Sequence, residues 1–254
     1  GRSMSDTLPI ILVTPVWNDS RRLVVFGFSL AEALQQSDLP VRWIVSDDGS
    51  SFEEKKSLET LVARLAEVYP NVELILSDVR SRKGGAVYRA WDHCEEAQVL
   101  AFVDADGAIS AESIVNLLRV SAAESSETAV IGVRSNSSGL PIRRSFGRTV
   151  SFNLFRMIVS LLLGVRFQDT QCGAKIIPAK AYREIRGGLL EHGFIFDVEL
   201  LVALKELSVD VHEQPIPWQE VDGGKVSPLR DSWAMLSALM RVRKRLKSGH
   251  YAKS

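Results

Sequence analysis

The sequence is poor in the residues that carry several common chemistries. It has two cysteines, Cys94 and Cys172, in 254 residues. They lie far apart and form no CxxC pair, which argues against a zinc cluster and favours reduced thiols in a cytoplasmic setting. There are four histidines. None pairs with a serine or cysteine in a nucleophile motif, and the GxSxG elbow is missing, so hydrolase triad chemistry has little support. The GxxxxGK[ST] phosphate loop and the GxGxxG dinucleotide fingerprint are missing as well. The formal net charge is +0, which argues against a nucleic-acid partner held by bulk electrostatics. No apolar run reaches the roughly 18 residues of a membrane span. The nearest, "FNLFRMIVSLLLGV" from Phe152 to Val165, is short and carries Arg156.

What remains is an ordinary soluble composition, 46% hydrophobic and 24% charged, long enough for a substantial core. No internal repeat or low-complexity linker divides it. The opening "GRSM" resembles a tag remnant, and residues 1–7 are expected to be a flexible start, with no signal-peptide pattern behind them. One domain is expected over 8–247, with a ligand-binding half at 8–135 and a second half at 136–247, followed by a flexible tail at 248–254.

The first half alternates strand and helix. "IILVT", "VRWIVS", "VELILS", "VLAFV" and "AVIGV" are strands rich in Val and Ile without polar alternation, as expected when helices cover both faces of a mainly parallel α/β sheet. Helices are expected over Arg21–Gln36, after a cap at Ser50 or Ser51, over Ala86–Glu96 with "SRKGG" as a turn before it, and after Ser110 or Ser113. The second half reads as a helix over Arg144–Gly164, a return to the sheet in "FQDTQCGAKIIP", a helix in "FIFDVELLVALKEL", an edge strand in "VDVHEQPIPW" limited by its prolines, a glycine-rich loop, and a basic helix from about Arg230. In such sheets ligands bind beyond the carboxyl ends of the strands. Those ends read "TPVWND", "SDDGS", "DVRSRKGG", "DADGA" and "GVRSNSSG", and they hold nearly every carboxylate, arginine and glycine cluster of the first half.

Asp104 and Asp106 end the fourth strand one residue apart. Left unpaired they would repel, and burial would raise at least one pKa. A hard cation such as Mg²⁺ or Mn²⁺, sharing its oxygen ligands with a substrate phosphate, is the simplest resolution. A cap beside a turn is the plain alternative. The DxDG string also occurs in phosphatases that form an aspartyl-phosphate, but here three α/β units precede it and Ala108 follows Gly107. Asp47 and Asp48 end another strand, and either form a turn or accept hydrogen bonds from a nucleobase or ribose. Arg80, Arg82 and Lys83 before Gly84 and Gly85 offer positive charge and close backbone approach to a phosphate.

Taken together, "VSDDGS", "RSRKGGAVYRAW", "VDADGA", "GVRS", "QDTQCGAKI", "FIFDVELL" and "PWQEVDGGKVSPLRDS" give a chain that resembles the inverting glycosyltransferases of the dolichyl-phosphate mannose synthase and dolichyl-phosphate glucosyltransferase type. The resemblance implies a GT-A nucleotide-sugar-binding fold. It implies that Pro15, Trp17, Asp19 and Asp47 line a nucleobase and ribose pocket, with Arg82 on the donor side. It also implies that Asp104 and Asp106 bind Mg²⁺ or Mn²⁺, with Asp106 the better ligand. Arg134, Arg143 and Arg144 would face the diphosphate or an acceptor phosphate, Asp169 and Gln171 the acceptor side, and Lys225 the phosphate from its "GGK" loop. The implied donor is a nucleoside-diphosphate hexose, UDP-glucose ahead of a GDP-sugar, and the implied acceptor is a polyprenyl or dolichyl phosphate. Peripheral contact with the cytoplasmic face of a membrane is a further expectation. A neutral hydroxyl acceptor would need a base, for which Asp197 or Glu199 is the candidate, a helix-surface or buried salt-bridge carboxylate being the plain alternative for Glu199. A non-catalytic nucleotide-sugar binder is the third reading.

Overall fold

Seven short strands rich in Val, Ile and Leu form one sheet, and their side chains feed two separate apolar layers because alternate residues of a strand point to opposite faces. The computed structural model describes residues 9–135, 146–218 and 228–252. The strands are β1 (Ile10–Val16), β2 (Val41–Asp47), β3 (Val72–Ile75), β4 (Val99–Val103), β5 (Ala129–Ser135), β6 (Ala174–Pro178) and β7 (Val211–Pro217). Their order is β3-β2-β1-β4-β6-β5-β7. β6 alone runs antiparallel, against both β4 and β5, so the sheet is mainly parallel, and β7 lies at its edge beside β5.

On one face, Ile11, Val13, Ile44, Phe102 and Ile131 pack under α3 (Arg82–Asp92), α5 (Phe146–Leu163), α6 (Ala179–Ile185), α7 (Phe196–Glu206) and α8 (Pro228–Lys247). On the other, Leu12, Trp43, Val45, Ala101 and Val130 pack under α1 (Ser20–Ser37), α2 (Phe52–Val68) and α4 (Ala111–Ala123). α2 and α4 start at capping serines: Ser51 accepts from the Glu54 amide at 3.3 Å, and Ser110 accepts from the Ser113 amide at 3.2 Å.

Two segments differ from the sequence expectation. α3 begins at Arg82, so "RKGG" is its first turn and not a turn before it. The glycines are there for proximity: a Cβ on Gly84 would lie 2.5 Å from Phe196 Cβ. Residues 248–252 are not a loose tail, because Tyr251 is buried and its hydroxyl donates to Glu199 at 2.6 Å. Both cysteines are buried and free, and burial pushes the Cys172 thiol up to about 12.

The strand order reverses about β1, which has β2 on one side and β4 on the other. A crevice forms at such a switch point, outside the carboxyl ends of the two strands. Here those ends deliver Trp17–Asp19 and Asp104–Asp106 to one place.

Candidate active site at the carboxyl edge of β1 and β4

Four of the five residues of β4 are buried, and the chain leaves the core at Val103. The Asp104 amide donates to the Gly173 carbonyl at 2.9 Å, which fixes the backbone while the side chain, 30% exposed, reaches outward. Its carboxylate meets Lys83 Nζ at 2.5 Å. Gly107, with φ of +73°, turns the chain back, and Asp106 Oδ1 accepts from the Ala108 amide at 3.0 Å. Burial, and then the negative charge of Asp104, hold the Asp106 carboxyl above its ordinary value. Burial works against the charged form of Lys83, yet the charges of Asp104 and Asp197 hold its pKa above the usual lysine value.

Two hard carboxylates half offset by one ammonium suit Mg²⁺ or Mn²⁺, provided that phosphate and water complete the coordination. Among the described residues no cluster of three His, Cys, Asp or Glu side chains could hold a metal. Asp104 and Asp106 are thus the two carboxylates present at this edge, with the Lys83 ammonium beside them. Gly173 keeps this arrangement open, because a Cβ there would overlap the Asp104 carboxylate. Gly173→Ala is expected to displace Asp104 and cut turnover at least tenfold with the fold intact; near-normal rates with an unchanged melting temperature would contradict this.

Deeper in, Asp197 is 3% exposed and lies 3.3 Å from the fully buried Lys175 Nζ, which also donates to the Cys172 carbonyl at 2.7 Å. Burial raises the Asp197 pKa, and the two lysines pull against that rise. Lys83 and Lys175 lie against the Phe102 ring, at 5.6 and 5.5 Å from its centroid.

A family model described as glycosyl transferase family 2 matches residues 12–185. The chain belongs to that family. It is 29% identical to a dolichyl-phosphate beta-glucosyltransferase of Dictyostelium discoideum over 94% of this chain and 75% of the relative. It is 30% identical to the Saccharomyces cerevisiae protein of the same name over 91% and 73%. Solved structures of glucosyl-3-phosphoglycerate synthase from Mycobacterium tuberculosis share the fold. The complex with Mn²⁺, UDP and glucosyl-3-phosphoglycerate superposes with a TM-score of 0.62 at 15% identity, covering 100% of this chain and 86% of that one. The complex with Mg²⁺ and UDP gives 0.63, at 15% identity over 96% and 80%. The protein is thus a glycosyltransferase with the GT-A fold.

In this family 2 glycosyltransferase the expected donor residues lie along the β1, β2 and β3 ends. Asp47 is fully buried, and its carboxylate accepts from the amides of Ser50 at 3.2 Å and Ser77 at 3.3 Å. Asp48 accepts from the Ser81 amide at 2.7 Å. These carboxylates stitch two loops together, and that wall stacks the Arg80 guanidinium 3.5 Å over the Trp17 ring. Gly49, at φ +71°, permits the closeness, since a Cβ there would lie 2.7 Å from the Arg80 amide nitrogen. Pro15 is paired in register with Ser46, Asp19 is bridged to Arg22 at 2.5 Å, and Arg82 is exposed at the start of α3.

At the end of β5, Arg134 grips Asp169 in a two-point bridge at 2.6 and 2.8 Å. Burial works to raise the Asp169 pKa, but the Arg134 bonds hold it below the carboxylate norm. The Phe152 and Trp218 rings flank the guanidinium at 5.0 and 5.5 Å. Gln171 donates its side-chain amide to the Phe194 carbonyl at 3.1 Å. Glu199 is fully buried and takes bonds from the Leu190 and Glu191 amides, Arg245 and Tyr251 at 2.6–2.9 Å. Those partners make it the anchor of α8 rather than a base open to a sugar hydroxyl. Arg143, Arg144 and Lys225 lie outside the described residues.

Lys83 is visible in the sequence only as one basic residue among three, and Lys175 and Gly173 are not singled out at all. A lysine inside the otherwise apolar strand "AKIIP" is the signal that points to Lys175.

Proposed function

We propose that this family 2 enzyme moves a hexose, glucose from UDP-glucose in the first instance, from a nucleoside-diphosphate sugar to a polyprenyl or dolichyl phosphate, with inversion at the anomeric carbon. The observation that carries the reading is the Asp104–Asp106 pair at the β1–β4 switch point, short of a full coordination shell without a diphosphate. The names of the relatives support the lipid-phosphate acceptor and the glucosyl group. The titles of the structural neighbours support UDP and a divalent cation.

When bound, Mg²⁺ or Mn²⁺ would be held by Asp106 and Asp104 and would neutralise charge developing on the leaving diphosphate. The chain's own residues do the rest. Lys83 sets the Asp104 carboxylate, Trp17 under Arg80 offers an aromatic wall for the base, and the Arg134–Asp169 bridge holds the acceptor side rigid. An acceptor phosphate is already largely ionised near neutrality, so it attacks without a general base. That matches the chemistry of Asp197 and Glu199, the two carboxylates expected to serve as a base: Asp197 is bound to Lys175 and Glu199 to Arg245. In this reading Arg143, Arg144 and Lys225, which lie outside the described residues, are the further phosphate contacts.

Exposed side chains support contact with an anionic lipid surface. Leu154, Met157 and Leu161 form an i, i+3, i+7 stripe on α5, and Trp233, Leu236 and Met240 repeat it on α8. The two helices pack together, and α8 carries the exposed Lys244 and Lys247 in its last turn. Apolar stripes beside basic residues are the pattern of interfacial helices. Trp233→Ser with Leu236→Ser is expected to abolish sedimentation with anionic vesicles; undiminished sedimentation would remove this part of the account.

The test of the whole reading is transfer of labelled glucose from UDP-glucose to a polyprenyl phosphate in detergent. Label in the organic phase is the expected result. No transfer from either UDP- or GDP-hexoses, or transfer to soluble hydroxyl acceptors only, would overturn it.

A further inference from the structure

The charges around the acidic pair do not balance, and the imbalance has a direction. Asp104, Asp106 and Asp197 face Lys83 and Lys175, while Arg134 with Asp169 and Arg22 with Asp19 are paired among themselves. The five groups leave one negative charge in excess. Lys175 is committed to Asp197 and the Cys172 carbonyl, so the partner left for the Lys83 ammonium is Asp104. Lys83 is also held in place from below. The next amide, that of Gly84, donates to the His192 carbonyl at 2.8 Å, and the Phe102 and Phe196 rings stand 5.6 and 5.8 Å from its nitrogen.

A divalent cation arriving alone must therefore displace or sit beside an ammonium of its own sign. A diphosphate arriving alone meets two carboxylates. Arriving together, each removes the other's obstacle: the cation takes the carboxylates, and the freed ammonium has a phosphate to meet as a point charge.

We propose that Lys83 is a resident counter-ion that makes cation and nucleotide binding mutually dependent, holding Asp104 in the empty site and passing to the donor diphosphate when a divalent cation takes its place. This rests on the donor reading above and adds the residue that couples its two ligands. Coupling of this kind is reciprocal, so it can be read from either ligand. Lys83 is a positioning residue for Asp104 before donor binding and a phosphate contact after it.

The experiment is a titration of Mn²⁺ into the intact chain with and without UDP, following loss of the free-ion electron paramagnetic resonance signal, for wild type, Lys83→Met, Lys83→Gln and Lys83→Arg. UDP is expected to tighten Mn²⁺ binding to wild type at least about tenfold, within the usual span of coupling between sites. Lys83→Met and Lys83→Gln are each expected to bind Mn²⁺ alone about tenfold more tightly than wild type, because a neighbouring positive charge has been removed. In both, the gain from UDP falls below about threefold. Lys83→Arg, which keeps the charge, retains the wild-type gain. Neutral variants that bind Mn²⁺ alone no more tightly than wild type, or that keep the full gain from UDP, would overturn the proposal while leaving the donor reading standing. Wild-type protein indifferent to Mn²⁺ in its binding of UDP would overturn the donor reading, and the proposal with it.

Discussion

Replacing Asp106 by asparagine is expected to lower glycosyl transfer about 10³-fold, the scale for losing a main electrostatic contact to a developing negative charge. The substitution is isosteric, and the amide oxygen can still accept from the Ala108 amide. The fold should not suffer. Burial and the charge of Asp104 raise the Asp106 pKa in the folded chain, so its contribution to stability is fully present below the ordinary aspartate value and is lost as pH rises through the raised one. At neutral pH the charged form is a burden, and the asparagine variant should melt at the same temperature as wild type or slightly higher. A variant that loses activity and melts well below wild type would point to a structural aspartate. One that keeps most of its activity would remove the carboxylate pair from the chemistry.

The second large effect is on stability, far from the acidic pair. Arg245→Leu is expected to destabilise the protein by roughly 3–5 kcal/mol, the usual cost of stripping one partner from a buried ion pair. For a domain of this size that corresponds to a fall in melting temperature of about 10 °C. Arg245 bridges Glu191 at 2.7 Å and the fully buried Glu199 at 2.8 Å, and Glu199 also receives the Tyr251 hydroxyl. Without the guanidinium, Glu199 is a buried charge with only neutral donors, and α8 keeps only the Arg241 bridge to Glu191 in the loop before α7. A pH dependence follows from Glu191. Burial raises its pKa, but Arg241 and Arg245 bring it below the ordinary glutamate value. Its stabilising contribution is therefore present above that ordinary value and is lost as pH falls through the depressed one. Wild type should release α8 in acid, seen as faster amide exchange in that helix, and Arg245→Leu should show the same exchange already at neutral pH. A melting temperature within about 2 °C of wild type, less than 1 kcal/mol at this size, would contradict the assignment.

The elements that were legible in the sequence were those whose cause is local. Apolar runs without alternation gave the strands, Ser50 or Ser51 and Ser110 or Ser113 announced two helices, of which Ser51 and Ser110 are the caps, and the run "VLAFV" is a strand with Asp104 and Asp106 just past its end. What escaped depends on partners distant in the chain. The direction of β6 is set by its seat between β4 and β5, which no local pattern in "AKIIP" encodes. The first turn of α3 hid behind Gly84 and Gly85 because glycine normally weakens a helix, and the contact that requires it, Phe196, comes more than a hundred residues later. Glu199 looked like a candidate base because its four partners include Arg245 and Tyr251 at the far end of the chain. The Arg134–Asp169 bridge shows the same limit, since two residues expected to face phosphates or sugar instead hold one another.

The measurement that tests the account most directly is calorimetric titration of UDP into wild type and Asp106→Asn, each with Mn²⁺ and with chelator. The account predicts tight binding by wild type with Mn²⁺, at least about tenfold weaker binding with chelator, consistent with ordinary coupling between two ligands, and the same weak binding by Asp106→Asn in both conditions. Binding by wild type that is unchanged by chelator, or full metal-dependent binding by Asp106→Asn, would contradict it.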